Sequence, residues 1–154
     1  MVIAPSSQEL EPPAIPGRFT IDFSAEDPAD KAIAAAVGLC QQYGADLHLV
    51  TVLPGYSMSI VSQYFPADYE KKAQQSALKQ VRDFIAKNVP SDVTAHPHVA
   101  AGTAYEEILH TRDTVDCDLI VVGSHRAGLG KFLLGPNAAR VVRHARCSVF
   151  VVRD

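Results

Sequence analysis

The run Asp118-Leu-Ile-Val-Val-Gly123 continues as Ser-His-Arg-Ala-Gly-Leu-Gly-Lys-Phe-Leu-Leu-Gly-Pro-Asn-Ala-Ala-Arg-Val-Val-Arg-His-Ala145 and closes with Arg146-Cys-Ser-Val-Phe-Val-Val152. Its reading decides the fold. Asp118–Gly123 reads as a near-continuous apolar strand, of the kind buried on both faces in the interior of a parallel sheet. A glycine-rich loop follows, with Gly123, Gly128, Gly130 and Gly135. Pro136 then suits the first turn of a helix, where the N–H it lacks would have no intrahelical partner. The spacing predicts a helix over 135–145 that turns Ala138, Val141, Val142 and Ala145 inward. Cys147–Val152 reads as a final strand. Two parallel strands need such a crossover between them.

The same alternation extends toward the N-terminus. Arg18–Asp22 is a short strand candidate ending on an acidic residue. Asp27-Pro28 is a helix start, an N-cap followed by proline, and that helix carries Ala32, Ile33, Ala36, Val37 and Cys40 on one face. Gly44 stops it. Leu47–Leu53 is the second strand, ended by Pro54-Gly55. A polar-aromatic loop spans Tyr56 to about Phe65. A long helix is expected from about Pro66 to Asn88, with Ala73, Ala77, Val81, Phe84 and Ile85 inward. Val93–Ala101 is a third strand; Pro97 places it near a sheet edge. Gly102-Thr103 leads into a helix over Ala104–Thr114. The order β-α-β-α-β-α-β-α-β predicts an α/β fold: one domain with a doubly wound, five-stranded, mostly parallel sheet covered by helices on both faces.

Composition agrees with a single domain and excludes several classes. The chain has 154 residues, 47% apolar and 20% charged, with a formal net charge of −3; these are the values of an ordinary globular domain. The acidic balance argues against a phosphate-neutralising nucleic-acid surface. No apolar run reaches the roughly 18–20 residues of a membrane span. Met1–Pro16 lacks the basic flank and apolar core of a signal peptide, and residues 1–17, with Pro5, Pro12, Pro13 and Pro16, read as a flexible leader before a domain over 18–154. Cys40, Cys117 and Cys147 are odd in number and widely spaced, a pattern of reduced thiols in a cytoplasmic protein rather than of a disulfide framework. No Cys/His spacing suggests a metal.

In sheets of this kind ligands sit at the carboxyl ends of the strands, where the strand order reverses. That directs attention to Asp22–Ser24, Val52–Gly55, Gly102 and Gly123–Pro136. A strand, glycine loop and helix start together can cradle an anion: glycine lets the backbone approach, and the first helical N–H groups face the ligand. The spacing is neither a Walker loop nor a GxGxxG fingerprint, so by itself it fits a surface loop equally well. Arg126 and Lys131 suit phosphate pairing, and equally a solvated loop. Asn137 opens the helix and can meet a phosphate or simply supply first-turn polarity. Ser124 and His125 lie side by side with no orienting acid near them in sequence, which gives no case for a catalytic triad. Glu106 and Glu107, in the first turn of a helix, suit the macrodipole. The loop 56–69 holds three tyrosines and Met58. It suits a lid or a partner surface.

The run from Asp118 to Arg153, with "LLG", "VVRHA", "CSV" and "VVR" at this spacing, resembles the carboxyl-terminal signature of the universal stress protein family. "IDFSAEDPADKAI", "LHLVTVLP" and "GTAYEEIL" are similar to its first strand and helix, second strand, and glycine turn into the third helix. The resemblance implies a Rossmann-like, adenine nucleotide alpha hydrolase-like fold, dimers through the last strand and, in one branch, ATP binding. On this chain it implies Asp22 at adenine, the Val52 backbone lining the adenine pocket, Gly123 beside the ribose and Gly135 at the phosphates, with His125, Arg126, Pro136 and Asn137 completing the loop and helix start. The family's ATP motif is a glycine, two residues, a glycine, nine residues, then glycine and Ser/Thr. Here Arg126 replaces the second glycine, eight residues separate it from Gly135, and Pro136 stands at the Ser/Thr position. The arginine and the shortened loop resemble the F- and G-type subclass. The proline removes a hydroxyl and a backbone donor.

The expectation is thus a cytoplasmic stress-response homodimer, paired through Cys147–Val152, that binds ATP or another adenine nucleotide, with or without Mg2+, and hydrolyses it slowly if at all. The alternative is a nucleotide-free dimerisation or partner-binding protein on the same fold. Pro136 favours that alternative, as does the irregular first strand, where Pro16-Gly17-Arg18 stands in place of continued apolar sequence.

Overall fold

The computed structural model describes residues 18–22, 29–53, 69–124 and 135–153. The leader, the loop 56–65 and the glycine loop 125–134 lie outside the described residues. The elements are β1 (Arg18–Asp22), α1 (Ala29–Tyr43), β2 (Asp46–Leu53), α2 (Tyr69–Asn88), β3 (Ala95–Ala101), α3 (Ala104–Val115), β4 (Leu119–Ser124), α4 (Pro136–His144) and β5 (Ser148–Arg153). Among the described residues the strands form one sheet in the order β3-β2-β1-β4-β5, and its pairings are parallel.

That order carries the geometry of the fold. The chain moves outward from β1 through β2 to β3, crosses back, and then moves outward the other way through β4 to β5. A right-handed crossover keeps its helix on one face while the chain advances in one direction, and switches face when the direction reverses. The two cores follow this rule. On one face α1 and α2 bury Ala32, Ile33, Ala36, Val37, Cys40 and Val81 against Leu47, Leu49 and Val121. On the other, Ile108 of α3 and Ala138 and Val141 of α4 pack on Ile120 and Val122. Leu119 and Val121 thus meet one core and Ile120 and Val122 the other, which is why β4 shows no polar alternation.

Local sequence accounts for the element ends. Gly44 takes a left-handed backbone at φ +63° and Ala45 N–H bonds the Cys40 carbonyl at 3.1 Å, so α1 stops where glycine costs nothing. Asp116 does the same work for α3 at φ +53°; aspartate is among the few non-glycine residues that visit this region readily. The released carbonyls are used: Cys117 N–H bonds the Arg112 carbonyl at 3.0 Å, and Arg112 Nε returns 2.8 Å to the Cys117 carbonyl. Several boundaries differ from the sequence reading by a residue or two; β4, for example, runs Leu119–Ser124 rather than Asp118–Gly123. β3 begins at Ala95 rather than Val93, because Val93 N–H closes a turn onto the Pro90 carbonyl at 3.1 Å while its side chain fills the core. β5 runs Ser148–Arg153 rather than Cys147–Val152, because its register begins with Ser148 opposite Leu119, the first residue of β4, and ends with Arg153 opposite Ser124.

β3 takes the edge that Pro97 predicts, with β2 beside it. Leu49 lies at the centre of the first core and is fully buried. Leu49→Ala leaves a cavity there and is expected to lower stability by about 2–5 kcal/mol, read as a shift of the urea midpoint at unchanged m-value.

Candidate functional site

In a parallel sheet with helical crossovers, the carboxyl ends of all strands and the N-termini of the following helices share one side of the molecule. β1 and β4 are neighbours there, and the chain leaves them toward opposite faces. Asp22 is the last residue of β1 and partners Val50 of β2. Since Ile21 pairs with Val121, Asp22 stands level with Val122, one residue short of Gly123. Gly123 is half-buried and partners Val152. Val52 is half-buried, partners Ala100, and packs against the core beneath α3 and α4. The register therefore brings Asp22, Val52 and Gly123 to one end of three adjacent strands. His125, Arg126 and Lys131 lie outside the described residues.

Gly135 is buried and forms the N-cap of α4 with an extended ψ of 154°, and Ala139 N–H bonds its carbonyl at 2.9 Å. Pro136 and Asn137 are exposed at the first two helical positions. Among the described residues no side chain caps this helix, its first turn has no acid, and its last turn carries Arg143 and His144. Helix polarity makes such a start favourable to an anion. Pro136 reduces the donors: Asn137 and Ala138 offer N–H groups, Pro136 none.

The N-terminus of α3, on the same side, has the opposite character. Thr103 is its N-cap, and Glu106 and Glu107 occupy its first turn. Hydrogen bonds from Tyr105 and then Thr103 hold the Glu106 carboxyl below the usual carboxylate range; the Tyr105 hydroxyl donates at 2.9 Å. Of these two helix starts, α3 brings its own carboxylates and α4 brings none. The turn into α3 is set by Gly102, at φ +152°, whose N–H bonds the Leu53 carbonyl at 2.9 Å. Sequence reasoning missed the group where α3 meets α4: the Arg140 guanidinium lies 5.1 Å over the Tyr105 ring, and Tyr105 is 6.1 Å from His144. The i, i+4 spacing of Arg140 and His144 is a helical-face signal, but nothing in the sequence brings Tyr105 beside it.

The thiols offer no ready nucleophile. Burial, then the Asp46 charge, pushes the Cys40 thiol up to about 12. Burial also raises Cys147, against the lowering effect of Arg112. Cys117 is fully buried.

The sequence profile of the Universal stress protein family matches residues 19–153. Universal stress protein G of Salmonella typhimurium is 34% identical over 136 residues, covering 86% of this chain and 94% of that protein. The chain belongs to the universal stress protein family. Family members of known structure share its fold at low identity. The universal stress protein of Archaeoglobus fulgidus in complex with dAMP aligns with a TM-score of 0.62 at 18% identity, covering 90% of this chain and 98% of that one. A universal stress protein in complex with cAMP aligns with a TM-score of 0.62 at 21% identity, covering 89% and 96%. Both of those family members hold adenine nucleotides on this α/β fold.

A thiolate is the reactive form of cysteine, so a thiol with a pKa near 12 is silent at neutral pH. Cys40 is expected to resist Ellman's reagent at about pH 8 in the native protein and to react within seconds to minutes once urea exposes it; counting thiols released before and after unfolding checks this.

Proposed function

We propose that this universal stress protein binds an adenine nucleotide, ATP above all, at the carboxyl end of β1, β2 and β4, and acts as a homodimeric nucleotide-dependent switch in a cytoplasmic stress response. The observation that carries the reading is the acid-free, Gly135-capped start of α4 on the side where β1 and β4 diverge. A nucleotide bound there supplies its own phosphate charge to the helix start, and this chain supplies recognition. Asp22 accepts from the adenine amino group and the Val52 backbone lines the base. Gly123 leaves room for the ribose. Gly135, Asn137 and the neighbouring backbone receive the phosphates, with His125 and Arg126 from the loop, and Pro136 holds the helix start rigid. The donor set fits an anion with fewer backbone bonds than a Ser or Thr at position 136 would allow. A switch also requires that nucleotide favour one conformational or partner state over another.

β5 supports the homodimer reading. It lies at the sheet edge with β4 beside it, and Phe150 is 37% exposed on it. A long apolar edge invites pairing, and pairing with its own copy about a twofold closes it. Among the described residues no helix is long and apolar enough to cross a membrane.

Pro136 favours a second reading, a dimerisation or partner-binding protein that has lost the nucleotide. Isothermal titration separates the two. Under the first reading ATP binds with micromolar affinity; Asp22→Ala weakens it by roughly tenfold or more, the loss of about one charge-assisted contact, and Gly135→Val weakens it similarly by placing a branched side chain where the phosphates approach the backbone. Pro136→Ser restores a donor and a hydroxyl and tightens ATP by a few-fold without changing adenosine. Absence of heat and of thermal shift with ATP, ADP and adenosine leaves the second reading.

A further inference from the structure

The sheet edge formed by β3 carries a side-chain cluster that the nucleotide site does not use. His48 of β2 is only 8% exposed and is the register partner of His96 on β3. Its ring stacks on His96 at 4.7 Å and on His98 at 5.1 Å. His48 Nδ1 lies 2.8 Å from His98 Nε2. Leu47 and Leu49 face the α1 and α2 core while Val52 faces the α3 and α4 core, so alternation places His48, His96 and His98 on the latter face.

An imidazole–imidazole hydrogen bond needs one ring to donate an N–H and the other to offer a lone pair. When both are protonated there are two donors and no acceptor, and the bond is lost. Stacked cations at these separations also repel. β3 is an edge strand, held by its seven-residue pairing with β2 and by α2 packed against it. Among the described residues β3 pairs with β2 alone, and Pro97, between the two histidines, brings no N–H. Metal chelation is a poor alternative: His48 Nδ1 and His98 Nε2 face each other at 2.8 Å and are engaged with one another. Among the described residues no group of three or more such side chains is placed to hold a metal.

The charges around the cluster do not cancel a second proton. On β2, the exposed Asp46 carboxylate lies 3.7 Å from His96 Nε2. On β1, Arg18 and Thr20 are the register partners of Asp46 and His48. α3 packs on β2 and β3; its buried residues Ile108 and Thr111 are uncharged. Of its charged groups, Glu106 is engaged by Tyr105, Glu107 sits against Gly102, Arg112 is engaged by Cys117 and Asp113, and His110 is exposed. α2 covers the opposite face, with its acids Glu70 and Asp83 and its Lys and Arg side chains exposed.

We propose that His48, His96 and His98 form an acid-released latch: neutral, they hold edge strand β3 on β2; charged, they let it loosen, together with the Gly102 turn that leads into α3. The latch is independent of nucleotide binding. Burial, then the His96 charge, holds His98 below its ordinary value of 6.5 in the folded chain. The unfolded chain therefore takes up more protons just below that value. The stability contributed is complete above about pH 6.5 and falls as pH drops through the lowered value.

Hydrogen exchange of the full chain at about pH 7.5 and about pH 5.5, corrected for intrinsic rates, tests this. The β3 amides are expected to lose protection by about tenfold or more at the lower pH, while those of β4 keep theirs. In the His48→Gln/His98→Gln double variant the protection of β3 becomes independent of pH over this range, and His110→Gln behaves as the wild type. Equal protection of β3 and β4 at both pH values in the wild type overturns the latch, as does an undiminished acid response in the double variant. The wild-type comparison decides the matter even where the double variant does not fold.

Discussion

Everything in this molecule depends on covering a parallel sheet from both sides. Parallel strands connect only through crossovers, and each crossover lays a helix on a face. The order β3-β2-β1-β4-β5 forces α1 and α2 to one face and α3 and α4 to the other. It also makes β1 and β4 the strands where the chain parts, which creates the position for a ligand. Leu119–Val122 meets that constraint directly, with alternate residues in two separate cores. A polar residue at any of these positions would lie in one core or the other without a partner.

The two helix starts on the carboxyl side show how one backbone arrangement takes on two roles. At α3, Thr103, Tyr105 and Glu106 engage one another, so the positive end of the helix is answered from within. At α4, among the described residues, no side-chain cap and no first-turn acid answers it. The contrast is electrostatic and local, set by side chains within one turn, which is the range over which a helix terminus acts. The nucleotide-bound relatives show that this fold accommodates adenine nucleotides. In this chain Pro136 brings no N–H to the start of α4.

The edges differ in the same instructive way. β5 is apolar between Ser148 and Arg153, with Phe150 exposed on it. β3 is broken by Pro97 and carries histidines, and so resists edge-to-edge pairing. Histidine on an edge strand is polar enough to discourage association when charged and flat enough to stack when neutral. A stack that secures a strand at neutral pH therefore need not do so in acid.

The element order, the helix faces and the edge position of β3 were legible in the sequence because each is carried by local signals: apolar period, Gly44, Pro97, and the glycine-rich approach to Pro136. So was the family, through the run ending in "CSVFVVR" at Arg153. The candidate positions Asp22, Val52 and Gly123 were legible as strand ends, but their neighbourhood was not, since it depends on which strands lie side by side. Tertiary structure alone decided that Val93 turns into the core instead of pairing, and that Tyr105 meets Arg140. It also decided that His48 lies against His96 and His98. The pattern His96-Pro-His98 already showed two histidines on one face of a strand, but its partner lies about fifty residues away. Sequence periodicity reports which side of its own element a residue takes; only packing reports what stands across from it.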